Sequence, residues 1–196
     1  VVSSGAIAAA TADDARGGDV LVRGGDVTLK RESSIDVSGV EQGGRAIVIA
    51  ERRAQFSGEI HARGAGFVEV SGHGALRFAG RVFTGGGTLL IDPADITVQG
   101  VDGDEDSTFG VGQIATMLLD GNDVILEADN DITWESDAAL DYDGIGASGR
   151  TLALQAGNNI VFSGTIGDGA AGGDLLNVVL NADRDASGAG SITLTP

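Results

Sequence analysis

Residues Phe67–Val98 read FVEVSGHGALRFAGRVFTGGGTLLIDPADITV, and this stretch decides the fold. Its apolar residues come in short period-two bursts: Val68 and Val70, Leu76 and Phe78, Val82, then Leu89 and Ile91. Alternation of this kind lines one face of a strand. Ser71-Gly72, Ala79-Gly80 and Gly85-Gly86-Gly87 stand between the bursts as turn signals. None of the bursts is long enough for an ordinary helix.

The bursts repeat. Ile47 and Ile49 precede Val68 and Val70 by 21 positions, and Leu89 and Ile91 follow by another 21. Phe56, Gly58 and Ile60 match Phe78, Gly80 and Val82 at an offset of 22. Short strands and glycine turns at such a period are the signature of a solenoid. A parallel β-helix coil needs about that many residues, roughly three strands of four to six residues plus three turns. Coils stack at about 4.8 Å, the usual strand spacing. The expected fold is all-β: a right-handed parallel β-helix (β-solenoid) with one short helix.

Phe67–Gly72 with His73, followed by Gly87–Val98, resembles a segment of filamentous-haemagglutinin-type exoproteins. These are large surface adhesins exported by two-partner secretion. In that family a GGFVEVSGH coil leads into an LLxDPxxITI coil just beyond the amino-terminal secretion domain. Asn122–Trp134 and Leu152–Phe162 resemble the family's GNDVTLxAGNDI repeats. The resemblance touches most of the chain after about Gly17. It implies a β-helical rod and a partner for export, an outer-membrane two-partner-secretion transporter. It also implies a secreted protein, extracellular or on the bacterial cell surface. A host receptor or an extracellular polysaccharide is the partner it leaves open for attachment.

Composition agrees with a narrow interior. Among 196 residues there are 33 Gly, 2 Pro and no Cys, with 42% hydrophobic but only 4% aromatic residues. The core must then be Val, Ile, Leu and Ala, with turns made by Gly. Without Cys there are no disulfides and no thiolate metal sites. No apolar run approaches the roughly 18 residues of a membrane helix, and no secretory leader pattern opens the chain. A start at Val1 rather than Met reads as a piece of a longer protein. Net charge is −17, which disfavours nucleic acid as a partner. Residues 1–98 carry 10 Lys/Arg against 12 Asp/Glu, whereas residues 99–196 carry 2 against 17.

In chain order, residues 1–16 are a preceding coil or a linker, with Ala6–Thr11 a helical turn or the tail of that coil. Residues 17–98 are coils of about 21–22 residues, with Val20–Val22, Val27–Leu29 and Ile35–Val37 as the first bursts. Residues 99–121 are an acidic loop and a short helix, Val111–Leu119, with Val111, Ile114 and Leu118 on one face. Residues 122–196 are coils of about 26–28 residues. There Val124, Leu126, Ala128, Asn130, Ile132 and Trp134 match Leu152, Leu154, Ala156, Asn158, Ile160 and Phe162, each at 28. Trp134 should stack on Phe162, and Asn130 on Asn158 at a corner, where Asn tolerates left-handed backbone and its amides can ladder. Tyr142–Gly149 and Gly167–Gly173 are expected as outward loops.

Candidate chemistry is sparse. Asp102, Asp104 and Asp106 sit at positions one, three and five, like the start of a Ca²⁺ loop. Ser107 stands where Gly is expected and Gln113 where a bidentate Glu is expected, so no metal site is assigned there. Asp141/Asp143 and Asp183/Asp185 are weaker versions. His61 and His73 could pair with Glu59 or Glu69 as acid–base groups, but their offsets within the coil differ and both adjoin Gly turns, so both are expected to be solvated turn histidines. The expectation is no catalytic residue, no cofactor and no metal. The expected function is a structural rod segment of a secreted filamentous adhesin that attaches cells to surfaces or matrix. Two alternatives stay open: a polysaccharide-processing β-helix enzyme, and the stalk of a contact-dependent toxin carrier.

Overall fold

The computed structural model describes residues 1–11, 16–103, 105–142, 149–167 and 175–195. The chain is a parallel β-solenoid of about six turns with one helix. Strands β1 (Val2–Ser3) and β2 (Ala6–Ala8) begin the stack, followed by β3 (Asp19–Leu29) and β4 (Ser34–Asp36). The next turns hold β5 (Arg45–Phe56) and β6 (Glu59–His61), then β7 (Phe67–Gly72), β8 (Ala75–Phe78) and β9 (Arg81–Phe83). A central turn contains β10 (Thr88–Pro93), β11 (Ile96–Gln99), β12 (Thr108–Gly110) and α1 (Val111–Leu119). Above it come β13 (Asp123–Ala128), β14 (Ile132–Trp134) and β15 (Ala139–Asp141). Next are β16 (Arg150–Ala156), β17 (Ile160–Phe162) and β18 (Thr165–Gly167), and finally β19 (Leu176–Asn181) and β20 (Ile192–Leu194).

One sheet runs through every turn in the order β1-β3-β5-β7-β10-β13-β16-β19. The other faces change at the central turn. Below it stands β2-β4-β6-β9, and above it β15-β18, while β12-β11-β14-β17-β20 forms a further sheet. The helix bridges this change. It packs against β15, and Gln113 Nε2 donates back to the Phe78 carbonyl. Its buried face is Ile114, Met117 and Leu118, spaced three and four apart. Gly121, at φ 91°, ends it, and its N–H donates to the Leu118 carbonyl at 3.0 Å.

The 28-residue repeat holds from β13 and β14 to β16 and β17, whereas β15 pairs with β18 at 26, β16 with β19 at 26 and β17 with β20 at 32, beyond the expected 26–28. Val124 pairs with Leu152, Leu126 with Leu154, Ala128 with Ala156, Ile132 with Ile160 and Trp134 with Phe162. Trp134 is fully buried and its ring stacks on Phe162 at 5.1 Å. Its indole N–H donates to the Ala138 carbonyl at 2.8 Å, so the polar edge is satisfied.

Three expectations change. Ala46 and Val48, not Ile47 and Ile49, pair with Val68 and Val70. The offset is therefore 22 rather than 21, and one residue of slip turns Ile47 and Ile49 to the outer face. The segment Ala46–Ala50 is apolar on both faces, so alternation alone gives no register. The bursts Val20–Val22 and Val27–Leu29 are one strand, β3, which crosses Gly24-Gly25 with a register shift before Asp26. Asn130 and Asn158 do stack, the Asn158 N–H donating to the Asn130 carbonyl at 2.7 Å, but neither adopts left-handed backbone and no amide ladder joins them. Of the two readings of Ala6–Thr11, the strand is found: β2 pairs with β4. The expected loops Tyr142–Gly149 and Gly167–Gly173 fall largely outside the described residues.

A column of glycines turns the lower corner. The Gly18, Gly44, Gly66 and Gly87 carbonyls accept from Arg45, Phe67, Thr88 and Asp123 N–H in turn, at 2.8–3.1 Å. A Cβ on Gly44 would lie 1.9 Å from the Gly18 carbonyl oxygen, and one on Gly87 1.9 Å from that of Gly66. Asn122 takes the next place in the column and is fully buried. Its Oδ1 accepts from Thr84 N–H and Oγ1, and its Nδ2 donates to the Val82 and Met117 carbonyls. One amide thus ties the lower coils, the helix and the upper coils together.

Candidate functional site

The corner beyond β7, β10 and β13 gathers the most unusual group of side chains. Register places Asp92 beside Ser71 on the outer face of the long sheet. Glu127 follows on β13, one residue past the Ile91–Leu126 pair. At the turn just past the strands, the Asp129 N–H donates to the Pro93 carbonyl at 3.2 Å. This sets Asp129 above Ala94, and Ala94 in turn lies above His73. Ala94 is small, so the side chains of His73 and Asp129 close over it across two coil spacings. His73 Nδ1 comes within 3.5 Å of Asp129 Oδ2. One donor atom from each of His73, Asp92 and Asp129 lies within 4.8 Å of the other two.

Asp92 is the strained member. Its Oδ1 is buried and has no hydrogen-bond partner. Burial, then the charges of Glu127 and Asp129, push its carboxyl up to about 7, against the weaker opposing effect of His73 and Arg184. Burial likewise raises Glu127, which is held in part by Arg184 at 3.0 Å. Glu69 adds negative charge below, where its carboxylate accepts from Ser71 Oγ at 3.0 Å.

The other candidate residues lie apart. His61 stacks on Phe83 with ring centroids 5.1 Å apart, and its Nε2 stands 3.2 Å from Glu59. It is half-buried, with Nδ1 enclosed and without a partner, rather than a solvated turn residue. His73 pairs with Asp129, not Glu69. In the acidic loop, Asp106 is ion-paired to Arg53 at 2.8 Å, and Ser107 adopts φ 58°. Asp104 and Asp143 lie outside the described residues. Asp183 accepts from Ser187 Oγ and Gly188 N–H, bonds that lower its carboxyl pKa.

Two clefts open on the lower coils. One, of about 340 Å³, runs between α1 and β9 and is lined by Arg81, Val82, Asp102, Gln113 and Asp120. Arg81 and Asp120 close its floor as an ion pair, which raises the guanidinium pKa. The other, of about 500 Å³, has Thr28, Lys30, Arg31, Gln55 and Arg77 along its walls. Comparison with known families, with curated proteins and with solved structures gives no match for this chain.

The sequence did not assemble His73 with Asp92 and Asp129. Their spacings, 19 and 37 residues, fit no ligand motif and no single coil period. The inserted β12 and α1 stretch the step from Leu89 to Val124 to 35 residues. His73 lies three residues past Val70 and Asp92 one past Ile91, so no common offset marks them either.

Proposed function

We propose that this chain is a structural rod segment of a secreted filamentous surface adhesin of the filamentous-haemagglutinin type. The observation that supports this reading is the continuous eight-strand path of the long parallel sheet over an unbroken apolar interior. Each coil meets mainly its neighbours, so such a body gains length coil by coil without redesign. The rod holds attachment regions at a distance, and its outer loops and clefts meet a receptor or extracellular polysaccharide. Export runs through an outer-membrane two-partner-secretion transporter that the chain crosses unfolded, a route its lack of Cys suits.

The polysaccharide-processing alternative draws on Asp92, a carboxyl raised to about 7 and so in part protonated near neutral pH, as a general acid must be. One experiment separates the readings. Residues 45–66 are one coil, because Arg45 pairs with Phe67. Their removal from the encoding reading frame should shorten the filament by about 4.8 Å and leave export and attachment in place. Turnover of a polysaccharide by the purified chain, lost in Asp92→Asn with the fold intact, would instead establish the enzyme. Loss of folding on removal of the coil would reject the modular rod.

A further inference from the structure

We propose that His73, Asp92 and Asp129 form a binding site for one divalent transition-metal ion of the zinc class. The inference stands on this corner alone and does not depend on the adhesin reading. The set combines an imidazole nitrogen with two carboxylates, the donor mixture that zinc accepts and that calcium and magnesium, which take oxygen ligands, do not favour. Once an ion displaces any proton from Asp92, the imidazole and the two carboxylates match its double positive charge.

The geometry separates this from an ordinary ion pair. His73 Nδ1 and Asp129 Oδ2 stand 3.5 Å apart, too far for a good hydrogen bond. Zinc held at about 2.0–2.2 Å puts neighbouring tetrahedral ligand atoms about 3.3–3.6 Å apart. Asp92 supplies the second observation. Its Oδ1 is enclosed and has no hydrogen-bond partner among the described residues, on a carboxyl that belongs to this three-residue cluster. A buried carboxylate oxygen without a donor is costly, and a cation is the partner that relieves it. Glu127 is engaged with Arg184, so it is not a fourth ligand here. His73 and Asp129 are exposed, which leaves the fourth position open to water or an external ligand.

The site has a mechanical consequence. Its ligands come from three successive coils, β7, β10 and β13, at the level where the inserted helix breaks the coil period. A bound ion would tie the lower and upper stacks together at the end of these strands opposite to the end that Asn122 clamps, and would raise stability by mass action.

The test is calorimetric titration of the chelator-stripped chain with zinc chloride at neutral pH, in excess calcium chloride. One equivalent should bind saturably. Affinity should fall at least about tenfold in His73→Ala and in Asp129→Asn and stay unchanged in His61→Ala. Both altered side chains are exposed, so the strand spectrum should persist; if one variant loses it, the other carries the comparison. Absence of binding, equal affinity in a folded His73→Ala or Asp129→Asn variant, or displacement by calcium would each overturn the proposal.

Discussion

The coils before Val98 and those after Asn122 build the same parallel stack by different means. The lower coils turn on glycine, with backbone so close that a Cβ on Gly44 or Gly87 would meet a carbonyl oxygen at 1.9 Å. Their outer surface is knitted by arginine. Arg23 pairs with Glu51, Arg52 with Asp26, and Arg45, Arg63 and Arg81 lie over Phe67 or Phe83. The upper coils have Arg150 and Arg184 alone and must spend their acidic groups otherwise. At one corner, side-chain oxygens accept backbone N–H groups from the coil above. Asp95 takes that of Asp131, Asp131 that of Asn159, and Asn159 that of Ser191, at 2.9–3.3 Å. Asp131 of the upper coils, like Asp95 below it, thus carries a structural bond rather than idle charge. A carboxylate needs donors, and stacked N–H groups supply them without a cation.

The first prediction tests whether these regions melt as one. Trp134 is the largest fully buried side chain and belongs to the upper coils. Trp134→Ala should cost about 3–5 kcal/mol, through lost burial and an empty cavity. If Asn122 couples the regions, denaturant unfolding remains one transition shifted as a whole. A second transition, with the lower coils unmoved, would show two independent bodies.

A smaller effect is expected at the coupling itself. Asn122→Leu keeps volume but leaves Thr84 N–H and the Val82 and Met117 carbonyls without their partner. The expected cost is about 2–4 kcal/mol, from buried groups left unsatisfied. Hydrogen exchange should quicken around α1 before it does in β5 or β16. Uniform exchange, with no loss of stability, would remove Asn122 from this role.

What was legible in the sequence follows the same division. The upper register could be read because Val124–Trp134 and Leu152–Phe162 match position by position at 28, with polar Glu127 and Gln155 marking the outer face. The helix was bounded correctly because Ile114 and Leu118 keep helical spacing and Gly121 stops it. Ile47 and Ile49 misled because both faces of β5 are apolar, and only the neighbouring strands select which enters the core. The corner ladder runs through Asp131 and Asn159 rather than Asn130 and Asn158, because only those side-chain oxygens reach the N–H groups of the coil above. The His73 group was not legible, since insertion of β12 and α1 hides which residues share a corner.

The smallest predicted effect concerns pH and joins the two regions at that corner. Asp92 belongs to the last lower coil, while Glu127 and Asp129, whose charges oppose its ionisation, belong to the first upper one. Its carboxyl is raised from 3.8 to about 7, burial being the larger cause. A group raised on folding binds its proton more tightly in the native chain than in the unfolded one. Its contribution is therefore fully present below about pH 4 and is lost as pH rises through about 7. Asp92→Asn removes that dependence. In the presence of chelator, the variant should match the parent near pH 4 and exceed it near pH 8, by about 1 kcal/mol after allowance for the solvent that reaches this half-buried side chain. Thermal melts of the two chains at both pH values measure the difference. A variant less stable than the parent at pH 8 would mean that the Asp92 carboxylate has favourable partners in the folded chain, and the strain assigned to this corner would be wrong.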